Sequence, residues 1–113
     1  MDNQDCVFCK IGRHEQVAEM LYETDTHYVV HDIMPKAPVH FLVIPKEHIE
    51  SVNHLPEDKA GLVGEMIVTA KNQAALQGIG STGYKLVFNV GKDGGQVIPH
   101  LHLHVLGGKQ MEE

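Results

Sequence analysis

His100-Leu101-His102-Leu103-His104-Val105 alternates imidazole and aliphatic side chains over six residues without a break. In an extended strand that alternation sends the three imidazoles to one face and the three aliphatic groups to the other. The aliphatic face belongs to a core and the imidazole face to a site. Neighbouring side chains on one face stand ~6.6 Å apart, so three positive rings would repel and at least one stays neutral near pH 7. A neutral imidazole, with an ordinary pKa of ~6.5, is a nucleophile that needs no base to strip a proton from it. The pattern therefore favours covalent catalysis.

The rest of the chain supplies elements for a sheet around that strand. His27 to His31 is β-branched and aromatic and runs into a proline-rich turn through Pro35 and Pro38, and Val39 to Ile44 follows as a second strong strand. Phe41 to Ile44 is continuously apolar, which predicts cover on both faces, and Pro45 stops the strand. A short helix or turn after Cys6, a strand around Met20 to Tyr22 and a strand over Tyr84 to Asn89 complete the set, with the last strand running from His100 to Leu106.

Pro56, Glu57 and Asp58 read as the start of a helix. Its apolar stripe is Val63, Met66, Ile67, Ala70 and Ala74, core or a dimer face, and its stop is Gly78 and Gly80. Strands separated by one long helix predict an α+β fold, an antiparallel sheet with the helix packed on one face. With 113 residues and 42% hydrophobic content, residues 1–113 are expected to form a single domain.

Charge and cysteine content narrow the function. Nine Lys and Arg against fifteen Asp and Glu give a net charge of −6, so the chain lacks the bulk positive field that holds a nucleic-acid backbone. No apolar run approaches a membrane helix, and the Met-Asp-Asn-Gln-Asp start lacks a signal peptide's features; the expected location is cytoplasmic. Cys6 and Cys9 have the spacing of a metal or redox pair, and alone make half of a tetrahedral site. The loop Gly91-Lys92-Asp93-Gly94-Gly95-Gln96 precedes the histidine strand, and consecutive glycines let backbone N–H groups turn toward an anion, with Lys92 adding charge. No Walker pattern accompanies it. Loop and histidines together read as a phosphate site facing a nucleophile. At this level a rival remains, in which His100, His102 and His104 converge on a catalytic metal.

The run from His100 to Leu106 resembles the H-φ-H-φ-H-φ-φ signature (φ apolar) of the histidine triad superfamily, and is most similar to its Hint branch. Further similar segments follow in the same order: His31-Asp32-Ile33, Ala37-Pro38, His40 to Lys46, Asp93 to Gln96, and His104 to Gly108. The resemblance implies a homodimeric purine nucleoside phosphoramidase whose middle histidine, His102, attacks the α-phosphorus and forms a nucleotidyl-histidine that water hydrolyses. It implies that Asp32 holds both ribose hydroxyls, that Phe8, Ile11, Val30, Ile33 and Leu42 line the base pocket, and that Asn89, Gly95, Gln96 and His104 surround the phosphate. His40 corresponds to a fourth active-site histidine, and His104 to the proton donor for the leaving nitrogen.

A subset of such proteins completes a zinc site from the cysteine pair and two histidines, here Cys6, Cys9, His48 and His100. The resemblance thus implies a structural zinc and no catalytic cofactor. Two positions depart from the pattern: Val97 stands where many Hint-branch members carry a serine near the leaving group, and Pro99 removes a backbone donor at the start of the histidine strand. The alternatives are a dinucleoside polyphosphate hydrolase, which differs only in leaving group, and a nucleotide-binding regulatory protein with vestigial catalysis. His14, His27, His31 and His54 are scattered and receive no role.

Overall fold

The computed structural model describes residues 5–113. Strands β1 (Met20–Glu23), β2 (His27–His31), β3 (Val39–Pro45), β4 (Tyr84–Val87) and β5 (Leu103–Gly107) form one antiparallel sheet in the order β1-β2-β3-β5-β4. A short helix α1 (Val7–Gly12) and a long helix α2 (Ala60–Leu76) complete the α+β architecture expected from the sequence. None of the described helices is long and apolar enough to cross a membrane.

Side-chain alternation sorts the sheet into two faces. Val29, Phe41, Val43, Leu103 and Val105 pack with Met66, Ala70 and Ala74 of α2. Tyr28, Val30, Leu42 and Ile44 point the other way and pack with Cys6, Phe8, Cys9 and Ile11 of the α1 segment. β3, at the centre, is thus buried on both sides, which is why Phe41 to Ile44 needs no polar position.

The long helix departs from its expected form in two respects. Glu57–Lys59 is a single 3-10 turn, and regular helix begins at Ala60, because Lys59 leaves helical geometry at φ −104° and ψ 8°. The buried stripe also differs: Met66, Ala70 and Ala74 are buried, Ile67 is 41% exposed, and Thr69 and Gln73 fill the stripe instead. Thr69 earns its polar group a partner, since its hydroxyl lies 2.8 Å from His27 Nε2 inside the sheet–helix layer. The expected stop is observed. Gly78 adopts φ 84°, and the N–H groups of Gly78 and Ile79 donate to the carbonyls of Ala75 and Ala74, with Ile79 buried against the core.

The strand expected over His100 to Leu106 begins only at Leu103, and the one expected over Tyr84 to Asn89 ends at Val87. At the first of these, Pro99 offers no N–H, and the Leu101 N–H donates to the Ile49 carbonyl at 2.7 Å instead of to β3. His100 to His102 therefore lead into the ladder without joining it, while Leu101, Leu103 and Val105 remain buried as the alternation requires.

Met66 is fully buried between α2 and the sheet. Met66→Ala should destabilise the chain by about 2–5 kcal/mol, read as a lower urea midpoint. An unchanged midpoint would place Met66 outside the core.

Candidate active site

The face opposite α2 carries the histidines. Register places Val30 opposite Leu42, Leu42 opposite His104, and His104 opposite Val87, so one row of side chains crosses four strands. The rings of His102 and His104 meet edge to face with centroids 4.9 Å apart, and Phe8 of α1 stands over His102 at 5.2 Å.

Hydrogen bonds assign the protons on these rings. The His100 carbonyl, which can only accept, lies 2.7 Å from His102 Nδ1, so that nitrogen carries the hydrogen and Nε2 keeps its lone pair. The Lys36 N–H, which can only donate, reaches His40 Nδ1 at 3.1 Å, so the proton of His40 sits on Nε2. That Nε2 lies 3.0 Å from His104 Nδ1 and 3.3 Å from Asp32 Oδ2. His104 therefore accepts at Nδ1 and presents Nε2–H. Asp32 is fixed from its other oxygen, which accepts the Met34 N–H at 2.8 Å.

The glycine loop stands beside this row as a self-bonded turn. The Gly95 and Gln96 N–H groups donate to the Lys92 and Gly91 carbonyls, so these two donors are spent inside the loop and not aimed at an anion as expected. The side chains of Asn89 and Gln96 are also engaged: Asn89 donates to the Gly94 carbonyl, while Gln96 accepts from Gly91 and donates to the carbonyls of Glu50 and Ile98. Two glycines are obligatory here. A Cβ on Gly94 would sit 2.3 Å from the Val90 carbonyl oxygen, and Gly95 adopts φ 79°. Lys92 is exposed, and Val97 is 89% exposed at the end of the loop.

Of the five residues expected to line a base pocket, Phe8, Ile11, Val30 and Leu42 lie in one cluster, whereas Ile33 is 96% exposed on the turn after Asp32. The short helix that contributes Phe8 and Ile11 is held by a bond that no local pattern signals, from the Tyr28 hydroxyl to the Phe8 carbonyl at 2.6 Å.

Among the described residues, two groups of side chains have metal-ligand composition, Cys6 with Cys9, His48 and His100, and Asp32 with His40 and His104; within each group the ligand atoms lie within 4.8 Å of one another. Proton placement separates them. His40 has a hydrogen on the nitrogen that faces its group, so Asp32, His40 and His104 are arranged as a hydrogen-bonded chain. His100 has the opposite arrangement. Its Nε2 donates to the Pro45 carbonyl at 2.8 Å, leaving the Nδ1 lone pair facing Cys6 Sγ at 3.2 Å, Cys9 Sγ at 3.5 Å and His48 Nδ1 at 3.2 Å. Cys9 Sγ lies 3.2 Å from His48 Nδ1. Two thiols and two imidazole nitrogens, one ring oriented by a backbone carbonyl, suit a tetrahedral zinc ion. Burial, and then the neighbouring Cys6, push the Cys9 thiol up to about 11, a cost that a bound cation reverses.

The comparisons agree with this geometry. The HIT domain family matches residues 13–111, and the chain belongs to that family. It is similar to a HIT family hydrolase from Legionella pneumophila, with 42% identity, a TM-score of 0.93 and 96% of each chain covered. It is also similar to a histidine triad protein from Clostridium difficile, with 37% identity and a TM-score of 0.95 over 100% of this chain and 98% of the other. A zinc-bound histidine triad family protein from Mycobacterium smegmatis shares 30% identity over 93% of this chain and 76% of its own, with a TM-score of 0.77. A histidine triad nucleotide-binding protein from Candida albicans shares 28% identity at a TM-score of 0.80 over 96% of this chain and 85% of the other.

Burial dominates the electrostatics. It pushes His104 down to about 4, with the adjoining His102 and His40 adding to the effect and Asp32 opposing it. His40 and His102 are lowered by burial as well, against the pull of Asp32 and, for His102, of the His100 carbonyl. An unfolded histidine titrates near 6.5, so between that value and about 4 the unfolded chain binds more protons than the folded one at His104. The stability due to neutral His104 is thus complete above about pH 6.5 and lost as pH falls toward 4. The urea midpoint should drop between pH 7 and about pH 4.5, and drop less in His104→Gln. A midpoint constant over that range would mean that the ring titrates alike in the folded and unfolded chain.

Proposed function

We propose that the chain is a hydrolase of purine ribonucleoside 5′-phosphoramidates, of the Hint type within the HIT family, working as a single-domain homodimer through a covalent His102 intermediate. The observation that carries the reading is the 2.7 Å bond from His102 Nδ1–H to the His100 carbonyl. It leaves Nε2 as the lone-pair nitrogen, and burial keeps the ring neutral. Both are what a nucleophile requires.

In the proposed reaction His102 Nε2 forms a bond to the α-phosphorus as the P–N bond to the leaving amine breaks. The positive charge that develops on the ring is stabilised through Nδ1–H by the same carbonyl. The amine nitrogen must gain a proton to leave, and His104 Nε2–H is the donor beside His102. His104 is neutral in the free chain; a phosphate anion at the site favours its charged form and so supplies the proton only when substrate is present. Water then attacks phosphorus, giving a proton to the His104 Nε2 that the first step left bare, as the bond from phosphorus to His102 Nε2 breaks, which releases nucleoside monophosphate and restores both rings.

Asp32 carries the ribose: one ionised carboxylate can accept hydrogen bonds from both hydroxyls of a vicinal diol. Phe8, Ile11, Val30 and Leu42 offer the apolar surface for a purine. A zinc ion held by Cys6, Cys9, His48 and His100 would serve as a structural cross-link. Exposed Ile67, Val68 and Leu76 on α2 and the open edge of β4 support the dimer.

His102→Ala should abolish turnover of adenosine 5′-phosphoramidate while purine nucleotide affinity stays within about tenfold, roughly 1.4 kcal/mol. Wild-type protein denatured in base during turnover, where a phosphorus–histidine bond survives, should carry one nucleotidyl group by mass. Parallel loss of binding and turnover would make His102 structural, and preferred turnover of a diadenosine polyphosphate would replace the proposed substrate class. Metal analysis should find about one zinc per chain, lost on Cys6→Ala with Cys9→Ala.

A further inference from the structure

We infer that the Cys6, Cys9, His48 and His100 cluster and the His102 ring form one mechanical unit, so that zinc at the first fixes the orientation of the second; the inference rests on the zinc and nucleophile assignments proposed above. Two connections join them. The first is His100. Its imidazole Nδ1 faces both thiols and His48, and its carbonyl accepts the His102 Nδ1–H at 2.7 Å. The second is Phe8, between the two cysteines in sequence. Its ring packs edge to face on His100 at 5.7 Å and on His102 at 5.2 Å.

The way the segment is anchored makes this coupling necessary. His100 to His102 precede β5 and take no part in its pairing with β3, so no ladder of backbone hydrogen bonds sets where the His100 carbonyl points. What does hold His100 is its own N–H, which donates to the Ile98 carbonyl at 2.8 Å, the 2.8 Å bond from its Nε2–H to the Pro45 carbonyl, the adjacent Leu101–Ile49 bond, and whatever binds its Nδ1. Drawing Nδ1 and the two sulfurs to one ion fixes both the carbonyl that orients His102 and the helix turn that presses Phe8 onto it. His100 and Phe8 are accordingly positioning residues, and the coupling is reciprocal: an occupant of the active site must tighten the hold on zinc as zinc orders the active site.

The test reads the His102 ring without any nucleotide. In the ¹⁵N-labelled, zinc-loaded chain, long-range proton–nitrogen spectra should show His102 as a single Nδ1–H form. After zinc is stripped and its loss verified by metal analysis, the two ring nitrogens should converge toward the averaged position of a freely exchanging imidazole. Ring signals unchanged after verified loss, or a chain that takes up no zinc, would overturn the coupling. Should the metal-free chain unfold, His48→Gln supplies a weakened site in a chain that keeps both thiols, with the same two outcomes.

A second measurement tests reciprocity by chelator competition: saturating AMP should raise zinc affinity about fivefold or more, and by much less in Phe8→Leu. Equal affinities with and without bound AMP, or the full gain in Phe8→Leu, would refute the link. Failure of AMP to bind would sink the functional reading instead, while the nucleotide-free ring spectra still decide the coupling.

Discussion

The register between β3 and β5 is the constraint on which the rest depends. Leu42 lies opposite His104 and Phe41 opposite Val105, and these pairs fix which face each residue of the last strand occupies. A slip of one position would drive His102 and His104 beneath α2 and turn Leu103 and Val105 toward the site, exchanging buried aliphatic surface for buried imidazole. The core under α2 and the row of rings on the other face are therefore two results of one pairing. Proteins with a weakly specified strand can shift register; here β3 is apolar on both faces and the alternation of imidazole and aliphatic side chains in the last strand is what specifies the pairing.

Neutrality is the chemical counterpart of that packing. His40, His102 and His104 lie close together, and burial lowers all three. The proton positions then follow from groups that have no choice of role: a carbonyl below His102, an amide N–H below His40. Backbone atoms do not titrate in this range, so the division into lone pair on one ring and N–H on the next lasts as long as the His100 carbonyl and the Lys36 N–H are held in place.

Much of this was legible in the sequence, and the exceptions have identifiable causes. The two-sided burial of Phe41 to Ile44, the alternation of the last strand and the helix stop at Gly78 each follow from local pattern, because each is decided by residues adjacent in the chain. The late start of β5 at Leu103 was foreshadowed by Pro99 but depends on the Ile49 carbonyl, fifty-two residues from Leu101. The burial of Thr69 beside the α2 stripe was not legible, because its hydroxyl is partnered by His27, forty-two residues away, a pairing that periodicity cannot register. The loop expected to offer N–H groups to an anion uses two of them to close itself, since Gly95 and Gln96 sit where a turn hydrogen-bonds internally. Asp32, His40 and His104 were each singled out, yet their arrangement as a chain depends on the Lys36 N–H, which no side-chain pattern reveals.

The bond from the Tyr28 hydroxyl to the Phe8 carbonyl has a practical consequence. A helix of six residues cannot persist on its own in water. Val7–Gly12 borrows its shape from the sheet, partly through that phenol, and Gly12 lies so close to the same ring that a Cβ there would stand 3.1 Å from it. Anyone grafting this cysteine-bearing turn onto another scaffold would have to transplant Tyr28 and the glycine with it, because the segment is a docked part and not a portable module.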